Sequence, residues 1–154
     1  MEKYAALNLP PVRLRASRRG DDDYVWDSLR GRWLLLTPEE WVRRHVIGWL
    51  SGTLAIPPTS IMQECQLHIG GSLQRADIVV TDIGRRAILL VECKAADVPI
   101  DGDVLAQASR YNGVLHAPYI MLTNGLYHYF YAAEGSAYRR LDTVPDLSGM
   151  YDRR

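Results

Sequence analysis

The chain has 154 residues, 47% hydrophobic and 23% charged, which is enough for one globular domain with a real core. Eighteen basic residues balance eighteen acidic ones, so total charge signals no polyanion partner, although a local basic face is compatible with a neutral sum. No apolar run reaches the roughly 20 residues needed to span a bilayer, no signal-peptide core opens the chain, and the only cysteines are Cys65 and Cys93. This pattern fits a protein of a reducing, cytoplasmic compartment with no disulfide framework.

Residues 1–23 read as an extended leader. Leu9-Pro10-Pro11 breaks any helix, and Arg13, Arg15, Arg18 and Arg19 then meet Asp21-Asp22-Asp23. The favoured reading is a solvated loop with offsetting charges, and the alternative is an arm that contacts phosphates. Tyr24–Leu29 and Arg32–Leu36 form a hairpin around Arg30-Gly31. Thr37-Pro38-Glu39-Glu40 starts a helix, with Thr37 as N-cap, Pro38 at the first turn and Glu40 closing a capping box. The helix is expected to reach Leu50 or Ser51 and to bury Trp41, Val42, His45, Val46, Trp49 and Leu50. Arg43 and Arg44 fall off that stripe, and Glu39 and Glu40 serve the cap and the dipole.

Ile61–Ile69 alternates as a strand, with Ile61, Cys65, Leu67 and Ile69 on one side and Met62, Glu64, Gln66 and His68 on the other. Gly70-Gly71 turns it into the next strand. Two apolar runs, Ile78–Val80 and Ala87–Val91, flank Gly84-Arg85 as a second hairpin. A two-residue turn there sets Asp77 directly across from Glu92, and Lys94 shares that face. If the Gly70-Gly71 turn is also two residues long, Glu64 joins Asp77 from the neighbouring strand. Two acids side by side repel unless a cation bridges them. Of the eighteen basic residues only Lys3 and Lys94 are lysines, so a compact charge with a tunable pKa stands where arginine is otherwise used. An ordinary ion pair at a strand end is the plain alternative.

Asp101 caps a helix through about Asn112, ended by Asn112-Gly113, with Val104, Leu105, Ala108, Tyr111 and Leu115 buried and Gln107 stacked one turn before Tyr111. Pro118–Thr123 is an apolar strand, Asn124-Gly125 a turn, and Tyr127–Tyr131 an aromatic strand that packs in a sheet or stacks on bases. Residues 132–154 read as an irregular tail. Cys65-x-x-His68 lacks a second ligand pair for zinc, His45, His116 and His128 lack triad spacing, and no glycine-rich phosphate loop occurs.

The order helix, three antiparallel strands carrying D and E-x-K, helix with Q-x-x-x-Y, strand resembles the PD-(D/E)XK nuclease superfamily. More closely, it resembles the N-terminal nuclease domain of type I restriction enzyme R subunits. The matching residues are Arg75-x-Asp77-Ile-Val-Val, Leu-Leu-Val-Glu92-Cys93-Lys94-Ala, Gln107-x-x-x-Tyr111 and Pro118-Tyr-x-x-x-Thr-Asn-Gly125. Thr37-Pro-Glu-Glu-Trp-Val is similar to the opening helix of small bacterial proteins of this type. The resemblance covers residues 24–131 and departs from the motif in having Ala76 before Asp77.

It implies an α/β fold with a restriction-endonuclease-like core, a central mixed sheet flanked by helices, in a single domain. It further implies Mg²⁺ (or Mn²⁺) held by Asp77, Glu92, the backbone carbonyl of Cys93 and, if its register allows, Glu64. Lys94 would orient the attacking water, and Gln107 and Tyr111 would position the substrate strand. The ligand chemistry is sound in itself, since hard divalent cations take a few carboxylates and keep waters for phosphate. The implied activity is hydrolysis of DNA without intrinsic sequence specificity, RNA remaining open. Restriction-system subunits, a separate motor protein or a second copy in a homodimer are the implied partners, since the chain has no G-x-x-x-x-G-K-[ST] motor motif. A catalytically silent nucleic-acid-binding or assembly module on the same fold is the alternative.

Overall fold

The computed structural model describes residues 4–151; the ends of the expected leader and tail, residues 1–3 and 152–154, lie outside the described residues. Strands β1 (Ala16–Arg19), β2 (Asp22–Asp27) and β3 (Arg32–Leu35) make a small antiparallel sheet in that order. Helix α1 (Pro38–Gly52) follows, then β4 (Ile61–Ile69), β5 (Ser72–Thr81), β6 (Ala87–Cys93), α2 (Gly102–Leu115), β7 (Tyr119–Thr123), β8 (His128–Glu134) and β9 (Ala137–Leu141). These six strands form one sheet in chain order, antiparallel throughout except where β6 and β7 run parallel on either side of the α2 crossover. The architecture is the expected α/β one, with a mixed sheet between two helices.

Both faces of the sheet are covered because both parities of the central strands are apolar. Ile78, Val80, Leu89 and Val91 pack with Val42, Val46 and Leu50 of α1. Val79, Leu90, Ile120 and Leu122 pack with Val104, Ala108 and Tyr111 of α2.

The β5–β6 register pairs Ile78 with Val91, Val79 with Leu90 and Val80 with Leu89, as expected, but two compensating departures produce it. The loop has three residues rather than two: Asp82 donates its N–H to the Arg86 carbonyl at 2.8 Å, and Arg85 takes a left-handed φ of 66°. A bulge between Val80 and Thr81 then restores the frame, since Thr81 pairs with Ala87 and Val80 with Leu89. Without the bulge, Asp77 would face an apolar residue.

The Gly70-Gly71 turn is the two-residue type expected. Both residues have positive φ (56° and 80°), and every β4–β5 pair follows its register. The expected alternation of β4 fails, however. Ile61 packs on the α1 side, whereas Leu67 packs on the α2 side with Cys65 and Ile69 beside it. In β5, Ile78 and Ala76 part in the same way. The pairing is interrupted at Glu64 and Asp77, and Glu64 has a φ of 51°, so the strand pair changes face at the two acids.

The leader and tail are more ordered than expected. Arg18 and Arg19 pair with Asp23 and Asp22 across the Gly20 turn, so the run read as a solvated loop forms β1 and the start of β2. Leu7 and Leu9 pack against the α1-side core, and Asn8 donates its N–H to the Gly125 carbonyl at 2.8 Å. At the other end β8 runs on to Glu134, Gly135 (φ 61°) turns the chain, and β9 pairs with β8, which corrects the irregular tail at residues 132–141. Leu147 is buried in the α1-side core. Helix α2 runs past Gly113 to a left-handed His116. Asn112, rather than ending the helix, bonds the backbone of Ala117 through both ends of its amide.

The caps of α1 and α2 are those expected: Thr37 accepts from the Glu40 N–H at 3.1 Å, and Asp101 from Asp103 and Val104. The Glu40 carboxylate turns instead to Arg43 and Arg44, and both arginines, expected off the buried stripe, are enclosed. Arg44 also meets Asp27, which is fully buried, at 3.2 Å, and it donates to Gln63. Burial works to raise the Asp27 pKa, but Arg30, Arg44 and Gln63 prevail and hold it below the usual carboxylate range. This network ties the small sheet to α1 and β4. Arg44→Ala removes one of two arginines from each of the Asp27 and Glu40 carboxylates, so a loss of about 2–3 kcal/mol is expected in urea unfolding; a loss below about 1 kcal/mol would show that the remaining Arg30 and Arg43 pairs suffice.

Candidate active site

The β5–β6 register brings the two expected carboxylates together in the middle of the molecule. The Asp77 carboxylate accepts from the Cys93 N–H at 2.7 Å, and the Asp77 N–H donates to Glu92 Oε1 at 3.4 Å. Each acid is thus held by the other's strand. Strand residues direct N–H and C=O to the same neighbour, so the Cys93 carbonyl also faces β5, while the Lys94 N–H turns to Thr123 on β7 at 2.9 Å.

Glu92 is only 3% exposed. Its burial and the adjacent Asp77 charge push its pKa well above the usual carboxylate range. Burial raises Asp77 as well, against the Cys93 N–H, Arg43 and Lys94, which favour its charged form. Two carboxyl groups in contact and out of water therefore share a deficit of positive charge.

Lys94, one position beyond the end of β6, donates from Nζ to Gln107 Oε1 at 3.4 Å, and Gln107 Nε2 donates to the Tyr111 hydroxyl at 3.1 Å. The Q-x-x-x-Y spacing places both side chains one helical turn apart on α2, and the parallel β6–α2–β7 crossover lays that helix over the end of β6. Tyr111 is buried, and burial followed by the Glu92 charge raises its pKa, so the hydroxyl stays protonated. An open groove of about 390 Å³ runs beside this relay, lined by Lys94, Asp103, Val104, Ala106, Gln107 and Arg110. A larger groove of about 870 Å³, lined in part by Met62, Thr81, Arg85 and His116, lies toward the hairpin end of β5 and β6, away from the two acids.

Glu64 occupies the register position across from Asp77, but the structure does not bring its carboxylate to the pair. Its left-handed backbone turns the side chain to Arg30 at 3.2 Å, Arg75 at 3.4 Å and Arg43 at 3.5 Å. Burial works to raise its pKa, yet Arg43, Arg30 and Arg75 outweigh it and hold Glu64 ionised. Arg43 is the residue the sequence reading missed. It bonds Glu40 and lies 3.9 Å from Asp77 Oδ1, so it connects the buried network to the acid pair. The available signal was its spacing of three from Glu40 on one helix. Glu39, assigned to the helix dipole, stands at the rim, where restricted solvation and the Asp77 charge raise its pKa and Lys94 opposes them.

Among the described residues, no set of three or more His, Cys, Asp or Glu side chains converges as a metal site. The groups that meet are two carboxylates, Asp77 and Glu92, and strand geometry turns the Cys93 carbonyl to the same neighbouring strand, so the oxygens on offer are all hard donors. This set fits a cation such as Mg²⁺, which keeps several waters and binds through one or two carboxylates.

A family model described as type I restriction enzyme R protein N terminus matches residues 38–145, from the first turn of α1 to beyond β9. No curated protein matches the chain.

The raised Glu92 pKa has a consequence for stability. The folded chain binds a proton that the unfolded chain releases, so the stabilising contribution is complete at acid pH and is lost as pH rises through the folded-state pKa. Without divalent metal, Glu92→Gln should therefore be more stable than wild type by about 1–3 kcal/mol near neutral pH, the gap closing toward pH 4. Thermal melts across that range in EDTA measure it, and equal stability at neutral pH would mean that Glu92 is charged and already compensated.

Proposed function

The chain belongs to the family of type I restriction enzyme R protein N-terminal domains, and on that premise we propose that it is a divalent-metal-dependent nuclease domain hydrolysing phosphodiester bonds in DNA. The observation that carries the reading is the juxtaposition of the Asp77–Glu92 pair with the Lys94–Gln107–Tyr111 relay. An ordinary ion pair at a strand end would need neither the second acid nor the amide that steers the lysine.

Asp77, Glu92 and the Cys93 carbonyl are the groups that would hold Mg²⁺ or Mn²⁺. When bound, the metal would polarise the phosphodiester and make its own water more acidic. Lys94 holds its ammonium group where a scissile phosphate would lie and offsets charge that develops there. Gln107 fixes the lysine through Oε1 and is itself fixed by the Tyr111 hydroxyl, so the cation is preorganised before substrate arrives. The groove beside Gln107 and Arg110 gives the substrate strand a path past the lysine. Arg43 biases Asp77 toward its ionised form, the form a cation requires. None of these groups reads bases, in keeping with specificity supplied by another subunit of a restriction system.

The test uses linear and circular DNA and a matched RNA, with Mg²⁺ or Mn²⁺ against EDTA. Wild type should cut DNA only with metal, and Lys94→Ala should lose at least about a hundredfold in rate while keeping its metal affinity. Asp77→Asn should lose metal binding in calorimetry. Because Glu92 must give up its proton to bind a cation, wild-type metal affinity should rise with pH and binding should release protons. A folded wild type that binds metal and cuts nothing would favour the silent binding module, and one that binds no metal would overturn the site.

A further inference from the structure

The outward face of the β1–β3 sheet carries an organised set of side chains that the acid pair does not involve. Alternation puts Ser17 and Arg19 of β1, Asp22, Tyr24 and Trp26 of β2, and Trp33 and Leu35 of β3 on this face. The opposite face presents Val25 and Asp27, both fully buried. Tyr24, Trp26, Trp33 and Leu35 belong to neither core, and Leu35 is 49% exposed. The face also lies before residue 38, where the family match begins.

Two arginines lie over these rings. The Arg15 guanidinium lies 5.4 Å from the Trp26 ring and 5.3 Å from Trp33, and that of Arg19 lies 5.1 Å from Tyr24 and 5.7 Å from Trp33. Trp33 thus contacts both cations, and it packs edge-on to Trp26 with centroids 5.3 Å apart. A guanidinium held over a ring by cation–π attraction commits none of its N–H donors to a hydrogen-bond partner there. Among the described residues neither Arg15 nor Arg19 makes an ion pair or a side-chain hydrogen bond, although Asp22 sits across from Arg19. The inner arginines differ: Arg30, Arg43 and Arg44 are each paired with carboxylates.

From this arrangement we infer that the outward face of β1–β3 binds a single-stranded segment of nucleic acid, with Arg15 and Arg19 on its phosphates and the Trp26–Trp33 edge against an unstacked base. The choice of a nucleic acid among polyanions rests on the nuclease reading above. Aromatic side chains interleaved with cations suit a strand whose bases are free to stack, since every base offers a face while a duplex hides its own. The Arg30 and Arg44 contacts to Asp27 and Gln63 hold this sheet on α1 and β4, so a strand bound there is held by the body that carries Asp77.

The test measures fluorescence anisotropy of labelled single-stranded and duplex oligonucleotides in EDTA over a salt series, for wild type and Arg15→Gln/Arg19→Gln. Both positions are exposed, and matching thermal melts verify folding. The double variant should lose about tenfold or more in affinity for the single strand, and its log–log salt slope should fall by about 1.4, two phosphate contacts' worth. Arg15→Lys/Arg19→Lys should keep the wild-type slope and still bind more weakly, because lysine does not hold the stacked geometry. An unchanged affinity and slope in the glutamine variant would overturn this inference alone, as would binding confined to duplex or displacement by polyglutamate in preference to the oligonucleotide. Wild type that binds the strand in EDTA but never cuts it with Mg²⁺ would count against the nuclease reading and leave this surface standing.

Discussion

Two buried carboxylates in contact are the constraint around which the molecule is arranged. Asp77 and Glu92 meet where strands covered on both faces leave little solvent, and like charges there are unfavourable by several kcal/mol unless protons or cations intervene. The backbone accommodates the pair through the bulge at Val80–Thr81, which sets the register, and the left-handed Glu64, at which β4 and β5 change face. A non-glycine residue at positive φ costs on the order of 1 kcal/mol, and such strain is kept where surrounding contacts over-determine it. At Glu64 three arginines do so.

Five of the arginines fall into two groups with different work. Arg30, Arg43 and Arg44 sit between Asp27, Glu40, Glu64 and Asp77 and neutralise acids that the fold has enclosed. Arg43 comes within 3.9 Å of Asp77, and Lys94, whose ammonium donates to Gln107, adds a second positive charge near the pair. Burial and the mutual charge keep the pair's proton affinity high, while the acids around it are paired with arginines. Arg15 and Arg19 lie over aromatic rings, and among the described residues their donors meet no carboxylate. A neutral total therefore hides an uneven distribution: two acids side by side at one site, carboxylate-paired arginines behind it, and arginines over aromatic rings on the outer sheet.

Much of this was legible in the residues alone. Apolar parity in Ile78–Val80 and Ala87–Val91 required a sheet covered on both faces, because side chains alternate strictly along a strand. The Gly70-Gly71 turn, the Thr37 and Asp101 caps, and the spacing of Gln107 to Tyr111 are local, and local geometry is encoded within a few residues. So Asp77, Glu92, Lys94, Gln107 and Tyr111 could be named before any coordinates. The Asp77–Glu92 register that a two-residue turn predicts arises from a three-residue turn and a bulge that cancel, and pattern alone cannot tell that sum from zero.

What only the tertiary structure decided depends on groups far apart in the chain. The Glu64 carboxylate leaves the acid pair because Arg30, thirty-four residues earlier, and Arg43 claim it. Arg44 is enclosed because Asp27 arrives from another sheet. Within the run Arg13–Asp23, Ala16–Arg19 pairs with the strand that starts at Asp22, and Arg15 and Arg19 meet Trp26 and Trp33, contacts that the charge run by itself does not contain. Periodicity and turn chemistry are written in neighbouring residues, and they determined the central strands, the helix starts and which candidate side chains share a face. The partner of a charged side chain is set by what the fold brings near it, and a one-dimensional pattern does not contain that distance.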